Sequence, residues 1–251
     1  MTVAAIDTTD DAFLGGRLKL LQPLKGHRAG HDAILLAAAA PSSAHAIDLG
    51  AGIGTAGLAL LARKAAGRVT LVEIDAGLAA LAQENAKRNG FGERAEIAAA
   101  DALKLGRKGG AAHPAAGSAD LVIMNPPFND PARRNSSPDP LRRRAHNASD
   151  FDLAQWAGAA ERLLASNGKL ILIHRPEAIE AILATLKGRF GAAELIPIFP
   201  RADAPAIRLI VRAIKGRRTP PVLLSGLVLN DADNRPTGAA EKILRGGAAL
   251  R

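Results

Sequence analysis

The chain has 251 residues, 48% of them hydrophobic, which supports one large α/β domain, or one domain with an appendage, and a substantial core. It contains no cysteine, which excludes disulfides, thiolate catalysis and cysteine-ligated zinc and fits a reducing cytosol. Lys and Arg number 33 against 24 Asp and Glu, a formal charge of +9 that favours polyanionic partners, nucleic acid first; no apolar run reaches membrane-spanning length without Gly or charge, and the N-terminus lacks the basic segment of a secretory signal.

Leu and Lys alternate around Gly15-Gly16 and Gln22-Pro23 over residues 13–28, which predicts a hairpin-like extension occupying residues 1–29. Residues 30–251 read as one further domain, without internal repeat or linker. An Ala/Leu-rich helix is expected over 32–40, stopped by Pro41, then a short buried strand over 46–49. Gly50-Ala-Gly-Ile-Gly54 is a glycine loop that opens a helix over 55–66. A second strand at 68–73 leads to a helix over 76–89, for which Gly90 is a good stop. Strands three and four fall at 95–99 and 119–124, separated by a Gly/Ala/His/Pro-rich connector at 106–118. Residues 129–149 are polar and basic with no periodicity, a long loop. After it come a helix at 151–164, a strand at 169–174, a helix at 177–187, strands at 194–199 and 208–213, a turn at 215–221 and a short helix at 241–244. Strands alternating with helices predict an α/β fold with a doubly wound, mostly parallel sheet. The last two strands have no convincing helix between them and are expected as an antiparallel pair at the sheet edge.

Three acids stand at three successive strand ends, where a doubly wound sheet makes its crevice. Asp48 precedes the glycines, a place where it would repel a pyrophosphate but suit an ammonium group. The spacing of Gly50, Gly52 and Gly54 also departs from the Gly-x-Gly-x-x-Gly of dinucleotide sites. Glu73 can accept both hydroxyls of a ribose. Asp101 can accept from an adenine amino group, with the Ala102 N–H facing a ring nitrogen. Each acid by itself reads as a cap or turn residue; the conjunction points to a nucleoside carrying an amino acid.

Asn125-Pro126-Pro127-Phe128 closes the fourth strand. The Asn125 side-chain oxygen can accept one N–H of a planar amine, the Pro126 carbonyl, held by Pro127, the other, and the Phe128 ring can stack on the heterocycle. The same four residues alone would pass for a turn with Phe128 in the core. Arg133, Arg134, Arg142, Arg143, Arg144 and His146 crowd the stretch that follows, and Lys215, Arg217 and Arg218 form a second basic cluster. With 3% aromatic residues and no Tyr, broad single-strand binding by many stacked rings is disfavoured. His27 and His31 are further candidate contacts, Asp32 can cap a helix and touch ligand, two compatible roles, and no His/Asp spacing calls for a metal.

On these residues the sequence resembles the class I S-adenosylmethionine-dependent methyltransferases. Asp48-Leu-Gly-Ala-Gly-Ile-Gly54 matches the glycine motif, Glu73 the ribose acid, Asp101 the adenine-contacting acid and Asn125-Pro-Pro-Phe128 the amino-group motif, over about residues 30–175. Gly26-His-Arg-Ala-Gly-His-Asp-Ala-Ile-Leu-Leu36 and Leu227-Val-Leu-Asn with Ala-Glu-Lys-Ile-Leu244 resemble, more narrowly, the two ends of the tRNA1(Val) adenine-37 N6-methyltransferase family. Asn234-Arg-Pro-Thr237 departs from that family's usual Gly-x-Tyr/Phe-Thr. The resemblance implies a Rossmann-like methyltransferase fold. It implies S-adenosylmethionine held by Asp32, Asp48, Gly50, Gly52, Gly54, Glu73, Asp101, Ala102 and Asn125, with S-adenosylhomocysteine as product. Catalysis is expected at Asn125, Pro126 and Phe128, and tRNA binding at Pro127, Phe128, Arg133, Arg134, Arg142, Arg143 and Arg144. The enzyme is expected in the cytoplasm, without metal or membrane partner, and its oligomeric state is left open. The alternatives are methylation of another planar amine, a guanine N2 in rRNA or a protein glutamine, and a non-catalytic RNA-binding module on the same fold.

Overall fold

A computed structural model describes residues 7–25, 28–107, 113–127 and 150–250. The chain opens on an antiparallel hairpin of β1 (Thr8–Phe13) and β2 (Leu18–Pro23), joined by a 3-10 turn at Leu14–Gly16. Its first strand begins earlier than the Leu/Lys alternation predicts, because the polar run Thr8-Thr-Asp-Asp carries no apolar pattern and takes its conformation from β2. Leu18 and Leu20 are buried while Lys19 between them is exposed, the period-two signature of a strand with one wet face.

Among the described residues the main sheet has nine strands: β3 (Ser43–Leu49), β4 (Ala66–Glu73), β5 (Ala95–Ala99), β6 (Ala119–Met124), β7 (Leu164–His174), β8 (Phe190–Phe199), β9 (Arg208–Lys215), β10 (Val222–Leu223) and β11 (Leu227–Val228). Across the sheet the order runs β5, β4, β3, β6, β7, β9, β8, with β10 and β11 following one another along the outer side of β8. Their pairings are parallel except at β9, which runs antiparallel to both neighbours. The two strands expected as an antiparallel pair, β8 and β9, do pair so, but β9 lies inside β8, and the two-residue strands β10 and β11 close the outside. Both are too short for a hydrophobic pattern to announce them.

The helices among the described residues are α1 (His31–Ala39), α2 (Thr55–Ala62), α3 (Ala76–Arg88), α4 (Asp150–Leu163), α5 (Ile179–Leu186) and α6 (Gly238–Leu244). Alternate strand residues divide the core in two. Leu71, Ile123, Ile171, Ile196 and Ile210 face one cluster with Leu36, Leu58 and Leu61 of α1 and α2, and Leu18 and Leu20 of the hairpin belong to it. Val72, Val122, Leu170, Leu172 and Leu195 face the other with Leu163 of α4 and Ile182 and Leu186 of α5. Each fully buried Leu or Ile in these layers contributes roughly 1.5–3 kcal/mol.

The helix opening at Thr55 stops at Ala62, short of the expected 66. Lys64 takes a left-handed φ of 58°, the Ala65 N–H turns back to the Leu60 carbonyl, and β4 begins at Ala66. Helix propensity in Arg63-Lys-Ala-Ala66 is overruled by the need to reach the sheet.

Two Asn side chains one helical turn apart, Asn85 on α3 and Asn89 at its C-terminal cap, dock the hairpin. Asn85 accepts from Leu21 N (2.7 Å) and donates to the Leu21 (3.1 Å) and Ile53 (3.2 Å) carbonyls, and Asn89 exchanges a pair of bonds with the Lys19 backbone (2.9 and 2.7 Å). They satisfy the edge of β2 as a third strand would, and Asn85 links hairpin, helix and glycine loop at once.

Candidate functional site

Strand register brings the predicted motifs together. Leu49 pairs with Val72 of β4 and with Met124 of β6, and Glu73 pairs with Ala99 of β5. Gly50, Glu73 and Asn125 therefore leave the sheet at one level, on adjacent strands, with Asp101 two residues past the end of β5. Strands lie about 4.8 Å apart, so Glu73 and Asn125 flank the glycine loop across roughly 10 Å.

The loop is tied down by its backbone. The Gly50 and Ala51 N–H groups both donate to the Val72 carbonyl at 2.9 Å. The Gly52 N–H donates to one Glu73 carboxylate oxygen (2.8 Å) and the Asp75 N–H to the other (2.9 Å). Glu73 is only 9% exposed. Each of its oxygens keeps a further lone pair, so the carboxylate is aimed without being used up. Asp75 caps α3 by accepting from the Gly77 and Leu78 N–H groups.

Asp48 lies beneath the loop rather than on its open side. It is 3% exposed and accepts the Gly57 N–H at 2.8 Å in the first turn of α2. Burial, opposed by that hydrogen bond and reinforced by the nearby Glu73 charge, pushes its carboxyl up to about 7. The carboxylate holds the loop to α2, a bracing role that stands beside the ammonium pairing expected from the sequence. Asp101 caps the 3-10 turn Ala102–Lys104 by accepting the Leu103 N–H at 2.9 Å, and Lys104 stands 3.7 Å away. Ala102 is buried.

Asn125 and Pro127 are half-buried and Pro126 is buried at the mouth of β6. Phe128, Arg133, Arg134, Arg142, Arg143, Arg144, His146 and His27 lie outside the described residues. Asp32, in the first turn of α1, accepts from Arg208 Nε of β9 at 2.7 Å; Gly30, not Asp32, stands at the helix cap. His31 is exposed at the same helix start.

Sequence reasoning missed Trp156. On α4, the six-membered part of its indole lies against Gly50, where an added Cβ would come within 2.8 Å of the ring. Its helical spacing with Leu153 and Ala160 is that of an ordinary core position. A separate cleft along α3 and β5, lined by Arg68, Gln83, Lys87 and Arg94, contains none of the three strand-end acids. No group of three or more His, Cys, Asp or Glu among the described residues could hold a metal, and no helix among them is long and apolar enough to cross a membrane.

The family model described as Methyltransferase small domain matches residues 29–197. The chain is similar to a protein of Aeromonas hydrophila named tRNA1(Val) (adenine(37)-N6)-methyltransferase, with 30% identity over 193 residues, 75% of this chain and 77% of that one. A protein of the same name from Bacteroides fragilis is 26% identical over 188 residues, covering 73% and 76%. Among solved structures, one from Agrobacterium tumefaciens, described as a predicted O-methyltransferase, superposes with a TM-score of 0.69 at 29% identity, over 87% of this chain and 98% of that one.

Proposed function

Because the chain belongs to the methyltransferase small domain family, we propose that it transfers a methyl group from S-adenosylmethionine to the exocyclic N6 of an adenine in tRNA. The observation that carries the acceptor is Asn125-Pro126-Pro127 leaving β6 one strand from the glycine loop and level with it.

The residues present fit the methyl donor. Gly52 has no heavy atom within 4 Å of where a Cβ would stand, so a ligand can lie on bare backbone there. Glu73, pinned by two N–H groups, would hold the ribose hydroxyls; Asp101 and Ala102 would hold the adenine. Asp48, which braces the loop through the Gly57 N–H, would take the ammonium group. When bound, the donor supplies an electrophilic methyl on a sulfonium.

An adenine amino group is a weak nucleophile because its lone pair is delocalised into the ring. The Asn125 side-chain oxygen accepts one of its hydrogens and the Pro126 carbonyl the other. This draws the nitrogen toward tetrahedral geometry and aims its lone pair. Phe128 stacks on a base drawn out of its helix. Positioning of this kind supplies up to about 7–11 kcal/mol in the best intramolecular cases, so no strong base is required. The solved relative's description names O-methylation instead, but Asn125 offers no basic atom to take the proton of a hydroxyl acceptor. The +9 charge and the arginines following Phe128 favour RNA over a protein glutamine. The reading places the enzyme in the cytoplasm, where tRNA is found, with residues 1–29 as an extension to a catalytic domain over 30–251.

The test is incubation with labelled S-adenosylmethionine and bulk tRNA or rRNA, followed by nucleoside mass spectrometry. N6-methyladenosine in tRNA is expected. Label found only in guanine N2 or in protein glutamine overturns the acceptor.

A further inference from the structure

Trp156 is the single tryptophan of a chain that has no tyrosine. It is half-buried, packed on the core layer that α4 covers, and its ring edge rests on Gly50 at the turn from β3 into the glycine loop. Six residues further along α4, Arg162 donates to the carbonyls of Leu105 (2.9 Å) and Leu103 (3.0 Å). Those carbonyls belong to the segment that Asp101 and Ala102 begin. One helix is thus fastened to both walls of the crevice: to the glycine loop through an indole, and to the adenine-side turn through a guanidinium. Gly50 is required for the first fastening, since any side chain there would meet the ring.

A buried ring that only filled the core would be served by Leu, as its neighbours Leu153 and Leu163 are. Trp156 instead is only half-buried, and it touches a loop whose next glycine faces open space. An aromatic ring in that position suits a flat heterocycle.

We propose that Trp156 is a cofactor-binding residue that forms the aromatic wall of the adenosine end of the site. This rests on the reading of the crevice as a S-adenosylmethionine site. The bound adenosine then covers ring surface that is wet in its absence, and α4, which follows the basic 129–149 segment in the sequence, receives the cofactor's presence directly.

The sole tryptophan makes the test direct. S-adenosylhomocysteine is titrated into the full-length protein, followed in parallel by calorimetry and by tryptophan emission with acrylamide as collisional quencher. The proposal expects a saturable emission change with the calorimetric midpoint and at least a twofold fall in the quenching slope. Heat of binding with unchanged emission and quenching overturns the role of Trp156 and leaves the cofactor site standing. No heat of binding overturns the cofactor site itself and the proposal with it. Trp156→Leu is expected to raise KM for S-adenosylmethionine about tenfold, within the range of one base–aromatic stack, with kcat within about twofold, and Trp156→Phe to restore most of it. A thermal shift in Trp156→Leu with KM unchanged would mean that the ring only packs.

Discussion

Gly50 and Gly52 sit two residues apart in one loop, both with left-handed φ, of 72° and 57°. The structure nevertheless assigns them different burdens. Alanine at either position must adopt a conformation that costs an L-residue roughly 1–2 kcal/mol. At Gly50 the new methyl also lies 2.8 Å from the Trp156 ring, and displacing a packed aromatic adds roughly 1–3 kcal/mol. Gly50→Ala is therefore expected to lose about 2–5 kcal/mol of stability. At Gly52 nothing stands within 4 Å, so Gly52→Ala should lose only the backbone share, about 1–2 kcal/mol. Its methyl points where the cofactor is proposed to approach, and an overlap of roughly 1–3 kcal/mol there weakens binding about 5- to 150-fold. Urea denaturation and calorimetry with S-adenosylhomocysteine measure the two effects separately. Gly52→Ala binding within twofold of wild type would refute the close approach of ligand to backbone. Equal destabilisation by the two substitutions would refute the packing of Trp156 on Gly50.

Asp48 gives a pH signature. A carboxyl raised from 3.8 to about 7 in the folded state binds its proton more tightly folded than unfolded, so its share of stability is present in acid and is lost as pH rises from about 4 to 7. The shift of about three units sets a ceiling on the order of 4 kcal/mol. Asp48→Asn, which keeps an acceptor for Gly57 N–H, should be more stable than wild type at pH 8 and nearly equal to it at pH 4; thermal unfolding at the two pH values that gave the opposite order would sink the assignment. Asn85→Ala removes three bonds of a fully buried amide and should cost about 2–4 kcal/mol, read as a lower urea midpoint. Asn125→Ala should abolish methyl transfer while calorimetry shows S-adenosylhomocysteine still bound; parallel loss of both would contradict the division between donor and acceptor sites.

The alternation of strands and helices was legible because the central strands β3, β4 and β6 end in runs buried on both faces, and a glycine loop interrupts the first of them cleanly. Asp48, Glu73, Asp101 and Asn125 could be placed at strand ends for the same reason, and the register then set Gly50, Glu73 and Asn125 side by side. What could not be read was which side of the loop a carboxylate would take. Asp48 and Glu73 differ in burial by a few per cent but point to different partners, Gly57 of α2 and Gly52 of the loop itself. Trp156 and Asn85 were hidden because their partners are distant in sequence and consist of backbone, which carries no sequence signal. The pairing of Asp32 with Arg208 spans 176 residues and depends on where β9 lies.

The position of β9 also orders events in time. β7 and β8 follow one another in the chain, yet neither pairs with the other; both pair with β9, which is made later. Until residues 208–215 have been synthesised, the two sheet segments have no strand to join them, and Ile171, Ile173, Ile196 and Ile198 lack the Ile210 layer between them. The strand that completes the sheet also brings Arg208 to Asp32 and Arg212 to the Ala39 carbonyl, and so anchors α1. The half of the molecule around the glycine loop is local in sequence. The half that fixes α1 beside it depends on long-range closure, the class of contact that forms slowly and leaves apolar edges open while it waits.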